Sequence, residues 1–570
     1  MSLVINRVVQ SPGLCCGVLA LLTLGLPTAA VASVAGATVT NAIVLETGRR
    51  IYEDGMLPGG EQLRAMRPEG FEMKGKHAAC VTCHRRSGMG SVEGSIDSTI
   101  LVPPVAGPVL FAPARFAASY LDTSHHYVPN EAWARTLTRP GYDRQSLAHA
   151  LRAGQDPAGK PLLAPMPLYD LDDTSLAALS VYMEQLLTAP DPGVEPDTLH
   201  LATVVTPDAR PEHVDAVLGV LRAWANTAHG AGKPWHLHEW KLTGPPATWP
   251  TQLETHYRQQ PVFALLSGVG HVYWSPVHHF CEQQRVPCIL PSVENMPGPG
   301  NDYYSMYFSP GVALEARVLA RYLDEQVTTT DQSARIFQVY SDASGRHAAE
   351  VLRALLNNGN NPVTHRKYRI TAPAAALDGL TRGDILVLWL RPKEIAQLVA
   401  GLPGRLTAGR VFVSALLASP EALDLPPVWK ERVNYVSLFD DLGLQGEIAL
   451  LRLQRWLELA GLADIPDRRL QADAYAACYL FNDALAEIRE QEVRRPAVPL
   501  SREHLLETLE TLVNKYNDST NLVDPDSHVA YYGRMSLGPR QRVAVRGGTI
   551  MRYASPDSSR LVANSKRIVP

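Results

Sequence analysis

Between residues 200 and 402, apolar runs of strand length alternate with amphipathic segments of helix length, and this alternation constrains the fold more than any other feature of the sequence. Chains that alternate strands and helices build parallel sheets with helices on both faces. The pattern restarts at Arg335, so the sequence predicts two α/β lobes, the second spanning roughly residues 327–440. Ligands collect at the carboxyl ends of parallel strands, and the cleft between the lobes is therefore the predicted binding site.

The predicted strands cover residues 200–205, 235–242, 262–267, 287–290, 335–340, 363–370 and 384–390. The predicted helices cover residues 212–227, 249–260, 272–284, 312–326, 345–358 and 392–402.

This organisation resembles the type I periplasmic binding proteins, in particular the branched-chain amino-acid-binding-like receptors of ABC transporters. Residues 262–268 look like the third strand of that fold, residues 287–291 like the next strand, and residues 335–345 like the opening of the second lobe. Residues 539–570 look like a C-terminal hairpin found in some relatives. The resemblance covers residues 198–570 and implies a bilobal fold with a hinge and a small-molecule ligand.

The resemblance also points to four candidate ligand-binding residues, namely Ser267, Gly268, Asp342 and Ser344. The loop at 267–270 could present backbone N–H groups to an anion, or it could be only a tight strand-to-helix turn. Amino-acid receptors of the family often have an aromatic residue where Ser344 stands, so the ligand class stays open.

A second, local feature is the motif Cys80-Val81-Thr82-Cys83-His84, because Cys-x-x-Cys-His is the attachment signature of c-type haem. Two thiols one helical turn apart add to the haem vinyl groups, and the following imidazole binds the iron. Three alternatives exist. A zinc site would need a second ligand pair, and a thioredoxin-type dithiol would need a strand before the motif and a helix after it. The third alternative is a disulfide between the two cysteines of the motif. The sequence favours one covalent haem c with His84 as an axial ligand.

Met166 is the predicted second axial ligand of the haem iron. Pro165 and Pro167 keep its backbone extended, so its thioether can point into a crevice. The alternative ligands are His125, His126 and Met89.

Residues 45–188 resemble a single-haem cytochrome c domain. The attachment motif, the turn at 154–159, the methionine loop at 166–169 and the helix around Tyr182 match that family, although the stretch from 94 to 138 is long for it. The resemblance implies an all-α domain, and a Pro/Asp-rich linker at 189–197 separates it from the binding-protein-like part.

The N-terminus predicts export. Arg7 precedes an uncharged apolar run at 14–26, and Ala30-Val31-Ala32 suits signal peptidase, so residues 1–32 are interpreted as a signal peptide. A membrane anchor is the alternative, but the run is short for the ~20 residues that a spanning helix needs. We therefore expect a periplasmic protein with no membrane span.

With 53 basic and 57 acidic residues, the charge balance does not indicate a nucleic-acid partner.

Three cysteines lie in the binding-protein-like part. In an oxidising compartment Cys281 and Cys288 could form a disulfide, and the alternative is two unpaired buried thiols. Cys478 lies in an apolar helix and is interpreted as a small buried hydrophobe.

Three functions are compatible with these features, and the first is our main prediction. It is a periplasmic one-electron transfer protein, not itself an enzyme, whose second part docks a solute or a redox partner such as a dehydrogenase or oxidase. The alternative is an ABC-transporter-type solute receptor or sensor in which ligand binding is primary and the haem is a redox accessory. A haem enzyme acting on peroxide or a small gas is the third, and two axial ligands argue against it. No catalytic residue is assigned.

Overall fold

The computed structural model describes residues 41–570 apart from 96–97, 114–138, 163–164, 228, 231, 299–301, 328–334, 357–362, 368–374, 376, 402–407, 440–442, 466, 495–497 and 519–534. The predicted signal peptide, residues 1–32, lies outside the described residues. The described chain forms an N-terminal unit followed by two α/β lobes.

The N-terminal unit combines helices with short strands. A helix at 41–49 continues as a π-helical turn at Arg50–Asp54. The elements that follow are β1 (Arg64–Met66), β2 (Glu72–Lys74), α1 (Val81–His84), β3 (Ser91–Ser95), β4 (Ser98–Val102), α2 (Gly107–Leu110), α3 (Arg144–Ala153), β5 (Leu168–Asp170) and α4 (Asp173–Gln185).

The all-α architecture predicted for residues 45–188 is not what the structure shows. Strand β1 pairs antiparallel with both β2 and β5, and β3 pairs with β4 as a hairpin. Strands β1, β2 and β5 have only three residues each, and they form because the loops before and after the Cys-x-x-Cys-His helix need partners for their backbone polar groups. The predicted helix around Tyr182 is present as α4, and the Asp172 side chain caps its start by accepting from the Ser175 N–H.

The first lobe is a mostly parallel sheet of eight strands. Its elements are β6 (Leu199–Val205), α5 (Pro211–Ala225), β7 (His229–Gly230), β8 (Lys233–Lys241), α6 (Trp249–Gln259), β9 (Ala264–Leu266), β10 (Val269–Gly270), α7 (Ser275–Gln284), β11 (Cys288–Ile289), β12 (Ser292–Val293) and β13 (Ser305–Met306). The strand order is β12-β10-β6-β9-β11-β13, with β8 also pairing with β6. All seven residues of β6 are buried, as expected for a parallel strand covered on both faces.

The second lobe is a sheet of seven strands in the order β15-β14-β16-β17-β18-β19-β20. Its elements are α8 (Val312–Val327), β14 (Ile336–Tyr340), α9 (Ala343–Leu356), β15 (Val363–Lys367), β16 (Ile385–Trp389), α10 (Pro392–Ala400), β17 (Arg410–Ser414), α11 (Pro427–Lys430) and β18 (Val433–Ser437). Strands β14 to β18 are parallel to one another.

After β18 the chain returns to the first lobe and then closes the second. Helices α12 (Gly443–Leu459), α13 (Arg468–Arg494) and α14 (Arg502–Asp518) come first, and α13 packs against α5 of the first lobe. Strands β19 (Thr549–Tyr553) and β20 (Leu561–Ala563) then form the expected C-terminal hairpin and add antiparallel to β18. The second lobe therefore extends beyond the predicted 327–440, because its sheet is completed by the end of the chain.

The bilobal α/β fold is confirmed. Each predicted strand and helix between residues 200 and 402 has a counterpart in the structure, with most ends shifted by only a few residues. Within the described residues, no helix is both long and apolar enough to cross a bilayer.

Candidate ligand-binding site and haem-attachment motif

Two charged side chains, one from each lobe, meet at the carboxyl ends of the strands. Glu294 directly follows β12 of the first lobe, and Arg391 follows β16 of the second. The Arg391 guanidinium donates two hydrogen bonds to the Glu294 carboxylate, Nη1 to Oε1 at 2.5 Å and Nη2 to Oε2 at 2.7 Å. Both side chains are largely buried, with 13% and 10% of their surface exposed. This bidentate ion pair joins the lobes across the cleft.

Two of the predicted ligand-binding residues belong to the same cluster. Arg391 Nε donates to Asp342 Oδ2 at 2.8 Å, and Ser344 Oγ donates to Glu294 Oε2 at 2.7 Å. Asp342 also caps α9, because its Oδ1 accepts from the Gly345 N–H. The cluster therefore takes Asp342, Ser344 and Arg391 from the second lobe and Glu294 from the first.

His271 adds a second polar group from the first lobe. Its Nε2 accepts from the backbone N–H of Arg210 at 3.2 Å, which leaves the proton of the neutral ring on Nδ1. That Nδ1 lies 2.9 Å from Glu294 Oε1. The ring of His213, at the start of α5, lies 5.4 Å from the ring of His271. We call Glu294, His271, Asp342, Ser344 and Arg391 the inter-lobe cluster.

The electrostatics of the inter-lobe cluster favour ionised partners. Burial by itself would raise the pKa of Glu294, but hydrogen bonds from Arg391 and His271 outweigh it and hold this pKa well below its usual range. Burial disfavours the charged form of Arg391, and the Glu294 hydrogen bonds overcome it, so the pKa of Arg391 is raised. Burial lowers the pKa of His213 to about 4. At neutral pH the cleft thus holds the Glu294 carboxylate and the Arg391 guanidinium, with the neutral imidazole of His213 nearby.

Ser267 and Gly268 lie in the turn between β9 and β10, and their backbone bonds go to the first lobe. Ser267 has a left-handed backbone, with φ of 52°, and its N–H donates to the Ile289 carbonyl. Gly268 has φ of 125°, and a Cβ there would lie 2.8 Å from the Trp274 ring, so glycine is required. The Gly268 carbonyl accepts from Ser292, which positions β12 just before Glu294. The Ser267 hydroxyl has no hydrogen-bond partner among the described residues, and its role in ligand binding stays a prediction.

Sequence reasoning missed Glu294, His271 and Arg391. Each lies one or two residues beyond the end of a strand, where the topology brings side chains to one edge of the sheet. A polar residue just after a predicted strand could have indicated such residues. For Glu294 this was not possible, because β12 has only two residues and is too short to be recognised in the sequence.

The Cys-x-x-Cys-His motif forms a short helical turn. Cys80 precedes α1, and its carbonyl accepts from the N–H of His84 at 2.9 Å. Cys80 is buried and Cys83 is half-buried. Burial raises the pKa of Cys80 to about 12, with the Tyr169 hydroxyl as a hydrogen-bond partner and Cys83 as a neighbour. The two thiols therefore lie on one helical turn, as haem attachment requires.

His84 has the environment of a metal-binding imidazole. It is 6% exposed, and its Nδ1 lies 3.0 Å from the Pro103 carbonyl. A carbonyl there fixes the proton on Nδ1 and leaves the Nε2 lone pair for a metal. Burial lowers the pKa of His84 to about 4, which keeps the ring neutral. The donor set of Cys80, Cys83 and His84 thus fits a covalent haem.

Of the candidate second axial ligands, Met166 borders the core of the motif. It is half-buried against the same apolar cluster that contains Cys80. Met89 is buried in another cluster, with Ala106 and Val109. His125 and His126 lie outside the described residues.

The loop after the motif is held by helix α14 of the binding-protein-like part. Glu507 Oε1 accepts from the backbone N–H groups of Arg86 and Ser87 at 2.8 and 3.1 Å, and Glu507 Oε2 accepts from the Ser87 hydroxyl. The hydroxyl of Tyr303, next to β13, donates to the same carboxylate at 3.0 Å. Burial raises the pKa of Glu507 to about 7, although the Ser87 hydrogen bonds oppose this.

Three arginines complete this contact, which we call the motif–α14 contact. Arg85 lies 3.2 Å from Glu510, and Arg542 also binds Glu510. The guanidinium groups of Arg86 and Arg542 lie 4.0 and 4.3 Å from the ring centroid of Tyr303. Buried charges and cation–π contacts therefore link the loop after the Cys-x-x-Cys-His motif to the first lobe.

Cys281 and Cys288 are buried side by side as free thiols, and burial together with contact to the Cys288 thiol raises the pKa of Cys281. Their pairing as a disulfide stays a prediction. Cys478 is fully buried in α13, as expected for a small hydrophobe.

No family model and no curated protein matches the sequence. Solved structures do match, and three examples follow. A fatty acid ABC transporter substrate-binding protein from Thermomonospora curvata is 14% identical, with 67% of this chain and 95% of that chain covered and a TM-score of 0.47. A branched-chain amino acid ABC transporter structure from Thermus thermophilus, with bound valine, is 12% identical, with 66% and 98% covered and a TM-score of 0.49. A leucine-binding protein from Thermotoga maritima is 12% identical, with 65% and 99% covered and a TM-score of 0.44.

The prediction that the chain is primarily an electron-transfer cytochrome is wrong. The matched structures are ligand-binding proteins of transporters, and about two thirds of this chain takes part in each match. The two α/β lobes make up most of the helices and strands of the described chain. The cytochrome c resemblance of the N-terminal unit stays a prediction.

Proposed function

We propose that this protein is a solute receptor of the ABC-transporter binding-protein type, with a covalently attached haem c as a redox accessory. The observation that carries the proposal is the ion pair between Glu294 and Arg391, which places ionised groups of both lobes at one point in the cleft. Receptors of this architecture bind a small molecule by closing two lobes around it. We further propose that the protein acts in the periplasm.

The inter-lobe cluster indicates the kind of solute. Arg391 is always charged and offers a planar fork of N–H donors, which suits a carboxylate or another anionic group. Glu294 and His271 offer an acceptor and a donor within 2.9 Å of each other. A solute with an anionic group for Arg391 and a hydrogen-bond donor for Glu294 would replace the direct ion pair. The lobes would then be joined through the solute.

The haem would be held by this chain's own residues. Cys80 and Cys83 would hold the haem covalently, and His84 and Met166 would bind its iron. When bound, such a haem supplies one-electron redox chemistry. The Pro103 carbonyl would keep the His84 ring oriented, and the motif–α14 contact would hold the haem-bearing loop against the first lobe.

The test is a thermal-shift screen of small anionic and zwitterionic solutes on the full mature chain, followed by calorimetry of the hits. A hit on the wild-type protein that is weakened at least tenfold in Arg391→Ala supports the proposal. Arg346→Ala is the matched control, because Arg346 lies on α9 of the same lobe with 61% of its side chain exposed. Equal affinity in wild type and Arg391→Ala for every hit would overturn the assignment of the site.

A further inference from the structure

Three histidines meet on one face of the first-lobe sheet, away from the inter-lobe cluster. His200 is the second residue of β6, and His236 and His238 lie on β8, which runs parallel to β6. His200 is paired in register with His236. Side chains two apart on a strand share a face, so all three imidazoles project from the same side of the sheet.

The rest of that face is an apolar core. Ala202, Val204 and Trp240 alternate in step with the histidines and pack in a buried cluster with α6 and α7. On the opposite face, Trp235 and Leu237 pack against the other core of the lobe. The three histidines therefore occupy the end of the face next to the amino end of β6, where the apolar cover stops. His200 is buried, His238 is half-buried and His236 is exposed.

The ring nitrogens of these histidines are close enough to share one ion. His200 Nδ1 lies 3.0 Å from His238 Nε2, and one nitrogen from each ring lies within 4.8 Å of the others. The rings of His236 and His238 stack with centroids 4.5 Å apart. Three imidazoles at such distances repel one another when protonated, and burial together with the neighbouring His236 and His200 lowers the pKa of His238 to about 4. The distances between these nitrogens therefore allow one ion to contact all three rings.

A carboxylate lies next to the second ring nitrogen of the buried His200. Glu195, in the segment before β6, has Oε1 3.3 Å from His200 Nε2. When His200 donates its Nε2 proton to this carboxylate, its Nδ1 becomes the acceptor that faces His238. Histidines that bind metal usually have such a carboxylate or carbonyl partner on the other ring nitrogen, which fixes the tautomer.

We propose that His200, His236 and His238 form a binding site for a divalent transition metal ion, with Zn²⁺ as the reference ion. Imidazole nitrogen suits Zn²⁺, Ni²⁺ and Cu²⁺, and three histidines with one open position match the common four-coordinate geometry of zinc. The exposed side of His236 leaves room for water as the fourth ligand. The ion would join β8 to β6 and, through Glu195, to the linker at 189–197. The proposal is independent of the proposed solute-binding function, because it uses none of the inter-lobe residues.

The test is a titration of the metal-stripped full chain with Zn²⁺ in competition with a chromophoric chelator. The cluster of His213, His271 and Glu294 could also bind Zn²⁺. The thiols of the Cys-x-x-Cys-His motif could do so as well in any molecule that carries no haem. The measurement is therefore the difference between wild type and variant in the number of Zn²⁺ ions bound per chain, and the expected difference is one. We expect His236→Ala with His238→Ala to lose one equivalent, and Glu195→Gln to weaken that equivalent roughly 10- to 100-fold.

A matched control and a second measurement keep the outcome clear. His347→Ala, an exposed histidine on α9, should bind as much Zn²⁺ as the wild type. His236→Ala alone is expected to fold, since the side chain is exposed, and its melting temperature should no longer rise with Zn²⁺ as far as that of the wild type. An unchanged number of equivalents in the double variant, at unchanged affinity, would overturn the proposal.

Discussion

The Cys-x-x-Cys-His motif and the inter-lobe cluster are built in opposite ways. The motif consists of five consecutive residues on one helical turn, and its surroundings contribute one carbonyl to His84 and one hydroxyl to Cys80. The inter-lobe cluster draws on residues from 271 to 391, which only the two-lobed topology brings together. The first site depends on local spacing, and the second depends on how two sheets are placed.

Because of this difference, a substitution that disrupts one site should leave the structure of the other site intact. A change in the motif leaves the strands that carry Glu294 and Arg391 intact, and a change in the cleft leaves the helical turn of the motif intact. The motif–α14 contact is where one part can affect the other, since Glu507 binds the loop after the motif.

The largest expected effect is on haem attachment. Cys80→Ala with Cys83→Ala should abolish covalent haem, because both thioether bonds are lost, while solute binding should change less than twofold. Haem staining after denaturing electrophoresis measures the first, and calorimetry with a screening hit measures the second. Cys478→Ala, a cysteine outside the motif, should keep its haem. Covalent haem in the double variant would show that the motif is not the attachment site.

The next largest effect concerns stability at the cleft. Arg391→Ala leaves the buried Glu294 carboxylate without its main partner, and removing one partner of a buried pair costs about 3–5 kcal/mol. Adding Glu294→Gln removes the stranded charge and should restore much of this free energy of unfolding. Denaturant unfolding of the three proteins provides the measurement. If the double variant were no more stable than Arg391→Ala, the ion pair would not be the cause.

The smallest expected effect is the pH dependence of the motif–α14 contact. Burial raises the pKa of Glu507 from 4.5 to about 7, so between these values the folded protein binds a proton that the unfolded chain releases. The resulting stabilisation is complete below pH 4.5 and is lost as the pH rises through about 7. The free energy of unfolding of the wild type should therefore fall relative to that of Glu507→Gln as the pH increases.

Melting curves of both proteins at several pH values test this sign. Glu350→Gln, on the exposed face of α9, is the control and should follow the wild type at every pH. A wild-type stability that rises relative to Glu507→Gln would show that the hydrogen bonds from Ser87 and Arg86 dominate over burial.

Much of the two-lobed fold could be predicted from the sequence, because its strands are buried on both faces and show as apolar runs between amphipathic helices. The short strands of the N-terminal unit could not, since β1, β2 and β5 have three residues each and no length over which a pattern could repeat. The all-α expectation failed there for that reason.

The candidate site was predicted in part. The family resemblance pointed to Asp342 and Ser344, which follow strand β14, and the structure places them in the inter-lobe cluster. Glu294 was missed because it follows a strand of two residues, and Arg391 because its role appears only when the opposite lobe supplies the carboxylate. Contacts between residues that are far apart in the sequence depend on how the two lobes are arranged, so local sequence patterns cannot predict them.

The C-terminal hairpin has a consequence for how the protein is made. Ser437 of β18 pairs with Thr549 of β19. More than a hundred residues must therefore be synthesised after β18 before strands β19 and β20 can complete the second sheet. Until then β18 presents an unpaired edge, which is the kind of surface on which chains aggregate. Synthesis that stops before residue 549 would leave a nearly complete polypeptide with an open sheet, and such fragments should depend on chaperones or be degraded.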